Sequence, residues 1–330
     1  MTEQELIQCS HKMLNRFILK SRHFCDCYCV PDGLADILME FNGTGTVQKD
    51  EKFSKKLGYD YDYFAFVKST KTLIALKSLL NDGTYFFNED SFMLIRSIFE
   101  NHIMNRYVRE HIDIENERET VVNKFILNPL SVTFNYFSLQ GFNVVDEQGN
   151  STGKIPMPAG FKMGKETDYY SNFYQFLCQY THCSFGALLC YFDDRFYTYQ
   201  KNNFQVLTLF FSLFVFTKIY EGVVTVEGED YDTVAEEKSY YDLGYDSIEV
   251  QLELIDFLIT YYSNRPKEKI RFIVEKYLGD SEYDKENKKI IEMLSQMRES
   301  LFDNEIGSLD KSQLKDGHFV RKYPNLSFFD

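Results

Sequence analysis

The chain has 330 residues, 44% hydrophobic and 17% aromatic, with 31 Phe, 24 Tyr and no Trp. That much buriable surface excludes disorder for most of the chain and supports either one large domain or two smaller ones. Fifty acidic against 36 basic side chains give a formal net charge of −14, which disfavours DNA and anionic membranes and confines any RNA contact to a local basic patch.

The opening MTEQELIQCSHKML has no basic region followed by an apolar run and no small-residue cleavage site, so no secretory leader is expected and the protein is placed in the cytoplasm. From Thr2 to about His23, Leu6, Met13, Leu14 and Phe17 recur at helical spacing and predict an amphipathic helix. A short helix is expected after Pro31. The polar run FNGTGTVQKDEKFSKK lacks the Gly-Lys-Ser/Thr ending of a phosphate-binding loop and reads as a mobile connection.

Apolar positions at Phe64, Phe66, Val67, Leu73, Ile74, Leu76 and Leu80 predict a second long helix over Tyr59 to Leu80. A third begins near Asp90 or Ser91 and runs through FMLIRSIFENHIMNRYVREH. Asn116 to Leu127 extends the helical pattern until Asn128-Pro129 closes it. Between Ser131 and Pro158, alternating Val132, Phe134 and Tyr136, then Phe142, Val144 and the Gln148-Gly149-Asn150 turn, predict a small β-hairpin insertion.

Helical patterning resumes at Thr167 to Leu189, Phe204 to Tyr220, Val250 to Tyr262, Lys267 to Tyr277 and Asp284 to Phe302, with a strand over Ile248 to Leu254 as an open alternative. The apolar run Val206 to Tyr220 is shorter than the ~20 residues a bilayer needs and contains Lys218, so a buried core helix is expected and no membrane span. Asp284 to Phe302 stacks Ile290, Leu294, Met297 and Leu301 on one face, as in an outer helix or a homodimer contact. The whole reads as a mainly α helical bundle. Its expected parts are N-terminal helices over 1–58, a core over 59–190, C-terminal helices over 191–303 and a tail.

Seven scattered cysteines, Cys9, Cys25, Cys27, Cys29, Cys178, Cys183 and Cys190, form no disulfide framework and suit a reducing compartment. Cys25-Asp-Cys27-Tyr-Cys29 lacks the paired spacing of structural zinc sites; small buried thiols are expected there, with neither metal nor cofactor.

On a helix of about 100° per residue, Arg96 shares an apolar face with Phe92, Phe99, Ile103 and Tyr107, and Glu100 lies about 40° from it. Both charges therefore aim at the core, either as a buried ion pair fixing helix register or as a pair at a functional cleft. His102 falls about 120° away, with Arg106 and Arg109, and reads as a solvated histidine on a small basic stripe. The apolar phase of the Thr167 helix changes at His182, so a helix end or kink there is expected to turn His182 inward towards Arg96 and Glu100.

Arg96 and His102 also fit the Arg-x4–6-His pattern of HEPN ribonucleases. Together with Glu100, Tyr174, His182 and Ser184, across Tyr59 to Leu189, the chain resembles an uncharacterised bacterial HEPN-like family whose members occur near phage-defence and toxin-like genes. Cys178 departs from the small hydroxyl residue expected at its place. The resemblance implies metal-independent RNA cleavage, with His182 or His102 as base and Arg96 stabilising the phosphorane. The competing reading is a non-catalytic sensor or scaffold that recognises a protein partner.

Overall fold

A computed structural model describes residues 1–35, 51–80, 87–127, 144–145, 151–153, 167–182, 187, 191–193, 196–198, 204–224, 231–264 and 280–301. Their order is α1 (Glu3–Cys27), α2 (Glu51–Leu80), α3 (Asn88–Ile112), α4 (Glu115–Val122) with a π-helical turn (Asn123–Leu127), hairpin β1 (Val144–Val145) and β2 (Ser151–Gly153), α5 (Thr167–Thr181), hairpin β3 (Phe192–Asp193) and β4 (Phe196–Tyr197), α6 (Gln205–Val224), α7 (Val234–Asn264) and α8 (Asp280–Ser300). The fold is mainly α, a helical bundle with two short antiparallel hairpins. It divides into two compact units. The first joins Met1–His23, Ser69–Phe99 and Gly164–Asp330; the second joins Phe24–Lys68 and Glu100–Met163.

The first unit is organised around α6, whose residues from Val206 to Val224 are all buried. Two of its hydroxyls are satisfied locally: Thr208 Oγ1 donates to the Phe204 carbonyl at 2.8 Å and Ser212 Oγ to the Thr208 carbonyl at 2.6 Å. Lys218 Nζ donates to the Ser300 carbonyl at 2.7 Å, satisfying the C-terminal end of α8. By length and composition this helix is long and apolar enough to cross a membrane, and it is wholly buried in the protein.

Rings knit α6 to its neighbours. Phe92 of α3 meets Phe176 and Tyr180 of α5 at 5.4 and 5.1 Å and Phe211 of α6 at 5.9 Å. Phe173 reaches Phe99 at 4.9 Å and Phe211 at 4.8 Å, both edge-on. From α1, Phe17 packs on Phe216 and Tyr220 at 5.3 and 5.0 Å. Each such pair adds about 0.5–1.5 kcal/mol beyond burial. Between α6 and α7, Gln251 Nε2 donates to Thr217 Oγ1 and Ser247 Oγ, both at 3.0 Å, within a fully buried polar triad.

In the second unit Phe53, Leu57, Val108, Ile112, Val121, Val122, Phe125 and Ile126 form one apolar cluster. The helices approach closely at Gly58, where an added Cβ would stand 2.9 Å from Ile112 Cδ1. Asp60 accepts the backbone N–H groups of Asp32 and Leu34 at 2.9 and 2.7 Å, tying the helical start at 33–35 to α2. Burial raises the Asp60 carboxyl despite those two donors.

Several expectations need correction. The segment read as a mobile connection includes the first turns of α2, which starts at Glu51 because Phe53 and Leu57 are core residues; its 41–50 portion lies outside the described residues. The strand alternative over Ile248 to Leu254 is helix throughout. Phe64, Val67 and Ile74, expected inside, are exposed. Cys25 and Cys27 sit in α1, so their spacing is helical, and Cys27 is exposed and Cys25 and Cys29 half-buried. The β1–β2 hairpin pairs where the Gln148-Gly149-Asn150 turn requires, with a register irregularity at Val144 and Val145. The Lys267 to Tyr277 helix, the Val132 to Tyr136 alternation and the tail fall outside the described residues.

Candidate functional site

The four candidate residues divide between the units, Arg96 and His182 in the first, Glu100 and His102 in the second. In the first unit, Arg96 is half-buried. One guanidinium N–H donates to the Tyr174 hydroxyl at 2.7 Å, and the group lies 4.8 Å from that ring's centroid. Tyr174 stacks on Tyr170 at 5.5 Å. Arg96 and Tyr174 were matched separately in the family-like pattern, and the fold brings them together. His182 does not join them inside: α5 ends at Thr181 and His182 is exposed just beyond it. The phase change marked a helix end correctly, but its inward turn does not occur. Ser184 lies outside the described residues.

In the second unit the expectation for His102 is reversed. It is only 8% exposed, flanked by buried Asn101 and Asn105. On α3 only Met93 and Glu110 are exposed between Asn88 and Ile112, so most of its polar side is buried or half-buried, as its apolar side is. Glu100 is half-buried.

That polar side faces α2. Arg109 Nη2 meets Asp62 Oδ2 at 3.2 Å, and Lys68 Nζ donates to Asn101 Oδ1 at 3.1 Å. Asp62, Asn101, His102 and Asn105 are buried, Arg109 half-buried and Lys68 exposed. Two amides, an imidazole, a carboxylate and two cations are thus collected along two helices of one unit. Chemically the set offers an imidazole to move a proton and cations to hold an anion. The basic stripe expected at His102, Arg106 and Arg109 is partly neutralised, because Arg106 Nε donates to Glu110 at 2.7 Å and Arg109 is paired with Asp62.

A second feature of this unit is an open groove of about 620 Å³ lined by Glu51, Lys52, Lys55, Lys56 and Tyr59. Two of its three lysines are matched by carboxylates: Lys55 contacts Glu51 at 3.1 Å and Asp113 at 3.7 Å, and Lys56 contacts Asp32 at 3.2 Å.

Sequence reasoning passed over two polar positions in the first unit. Glu89, at the start of α3, is 3% exposed, and its burial raises the carboxyl to about 7 against the pull of its own backbone N–H and the Tyr191 hydroxyl. Burial and the nearby Lys77 ammonium lower the His11 imidazole. The Glu89 signal was a carboxylate beside the start of an apolar helix, a pattern that ordinarily marks a solvated first turn. Among the described residues no group of three or more His, Cys, Asp or Glu side chains is arranged to hold a metal ion. No family model, no curated protein and no solved structure matches the chain.

Proposed function

We propose that the chain is a HEPN-like, metal-independent endoribonuclease whose chemistry centres on His102, with Lys68 and Arg109 as phosphate contacts and Asn101 and Asn105 beside them. The observation that carries this reading is the buried imidazole of His102 set among amides on a face of α3 that carries Arg109 and meets Lys68 of α2. Burying so many polar groups is costly, and such clusters concentrate at functional sites. In the proposed reaction His102 takes the proton of a ribose 2′-hydroxyl and the 2′-oxygen bonds to the adjacent phosphorus. The P–O5′ bond then breaks, and the leaving 5′-oxygen takes a proton from solvent. Lys68 and Arg109 offset the charge of the phosphorane. Arg96 is assigned a structural role with Tyr174, and His182 none.

The test is incubation of purified protein with total RNA in EDTA. Fragments ending in 2′,3′-cyclic phosphate are expected, lost in His102→Ala and retained in His182→Ala. Intact RNA at high protein concentration overturns the reading. It would leave the alternative of a non-catalytic scaffold that binds a protein partner, which is favoured by the carboxylates already matched to Arg106, Arg109, Lys55 and Lys56.

A further inference from the structure

The two contacts between α2 and α3 fix a local register. Arg109 meets Asp62 and Asn101 meets Lys68, so α2 ascends from 62 to 68 as α3 descends from 109 to 101, and the segments are antiparallel. At about 100° per residue, Asn101, Asn105, Arg109 and His102 lie within an arc of about 100° on α3. Asn105 is midway between the two anchored positions, and the midpoint of 62 and 68 on α2 is residue 65. That residue is Ala65, itself buried. By this register the α2 residue nearest the level of Asn105 carries only a methyl group and no donor.

Asn105 is 3% exposed, and its Oδ1 has no hydrogen-bond partner among the described residues. A buried amide oxygen is normally satisfied, and leaving one unsatisfied costs about 1–3 kcal/mol. It is an acceptor, so what it lacks is a donor. Flanking it along the same face are the His102 imidazole, Asn101, which meets Lys68, and Arg109, and the two cations are the groups proposed above to hold a phosphodiester. The ligand atom that suits Asn105 is a hydroxyl hydrogen close to a phosphate. In a nucleic acid, the 2′-hydroxyl of ribose meets that description, and deoxyribose lacks it.

We propose that Asn105 is the residue by which this site selects RNA over DNA: its Oδ1 accepts the hydrogen bond of the 2′-hydroxyl of the nucleotide neighbouring the one that His102 deprotonates. This rests on the ribonuclease reading of the same cluster. The role is recognition, separate from the proton transfer assigned to His102. A site built to accept a hydroxyl rejects the analogue without it because the buried acceptor is then left unpaired.

The experiment is fluorescence anisotropy with three oligonucleotides of one sequence: RNA, DNA and fully 2′-O-methylated RNA, which keeps the 2′-oxygen but cannot donate. Gels of the same samples correct for cleavage. Wild type is expected to bind RNA about tenfold more tightly than either analogue, as one buried hydrogen bond allows. Asn105→Ala should bring the three affinities within about twofold while DNA affinity stays as in wild type. Asn105→Asp keeps the acceptor and the size, so it should weaken all three yet preserve the RNA preference; thermal melts establish that both variants fold. An RNA preference that survives Asn105→Ala overturns the role of Asn105 while leaving the ribonuclease reading intact. Failure of wild type to bind any RNA overturns both.

Discussion

Glu89 gives the sharpest test of the energetics. Its side chain is buried at the first turn of α3, where the positive end of the helix should favour the anion. Burial outweighs that, and the nearby Asp90 carboxylate adds to it, raising the group from 4.5 to about 7. Ionising it in the fold is therefore harder than in the unfolded chain. Between these two values the folded state holds a proton that the unfolded state has lost, so stability falls as pH rises from about 4.5 to 7 and levels off above. The span, at about 1.4 kcal/mol for each tenfold in proton affinity, corresponds to about 3 kcal/mol. Glu89→Gln keeps the shape and removes the titration. Urea unfolding of both proteins from pH 4 to pH 8.5 should show nearly equal stability at the acid end and a growing advantage for the variant, towards about 3 kcal/mol, above pH 7. Subtracting the two curves cancels the other carboxyls that burial raises, Asp60, Asp90 and Glu249. A difference flat with pH, or a variant less stable at pH 8, would refute the reasoning.

Arg96→Ala removes one charged hydrogen bond and one ring contact from a half-buried site. Its cost should be about 2 kcal/mol, short of the 3–5 kcal/mol typical of a stranded buried charge; a double-mutant cycle with Tyr174→Phe measures the coupling, and a value near zero would remove the pair from the account. Lys218→Met leaves the Ser300 carbonyl without its donor, so about 1–3 kcal/mol should be lost, with faster amide exchange confined first to the end of α8. Gln251→Leu deletes two donated bonds but also a buried carbonyl oxygen that has no partner among the described residues. The net change should be about 1 kcal/mol, and a loss several times larger would mean that the triad is more cooperative than its pairwise bonds.

Where one face of a helix meets the core and the other meets water, the sequence pattern carried the structure. Leu6, Met13, Leu14 and Phe17 on α1, and Ile290, Leu294 and Met297 on α8 with Leu301 just after it, are all buried as their spacing required, while Lys288, Lys289 and Glu292 stay outside. The central α6 was legible for a different reason, since a run apolar all round has nowhere to go but the interior, and its lone ammonium found the end of another helix. Boundaries were less legible. The polar, glycine-containing run over 41–56 made the start of α2 read as loop, although Phe53 and Leu57 keep the helical period.

The candidate site was misread at α3, because the inference from polar to solvated fails when the polar side of a helix also packs against a neighbouring helix. A wheel assigns Arg96 to an apolar face and His102 to a polar one, and for a helix at the surface that difference decides which is buried. On α3 it decides which partner each meets: Arg96 finds the hydroxyl and ring of Tyr174, while Asn101 and Arg109, on the side of His102, find Lys68 and Asp62. The discriminating signal was present in α2, where Asp60 and Asp62 fall between core residues Leu57 and Ala65 at positions that a one-sided amphipathic helix would not fill with carboxylates. Asp62 there implies a donor on the facing helix, and Arg109 is the donor that the next long helix supplies, while Asp60 is met by the backbone N–H groups of Asp32 and Leu34. Polar residues paired in this way across two sequence-adjacent helices are better evidence for an interior site than either helix pattern alone, because each set explains a cost that the other leaves open.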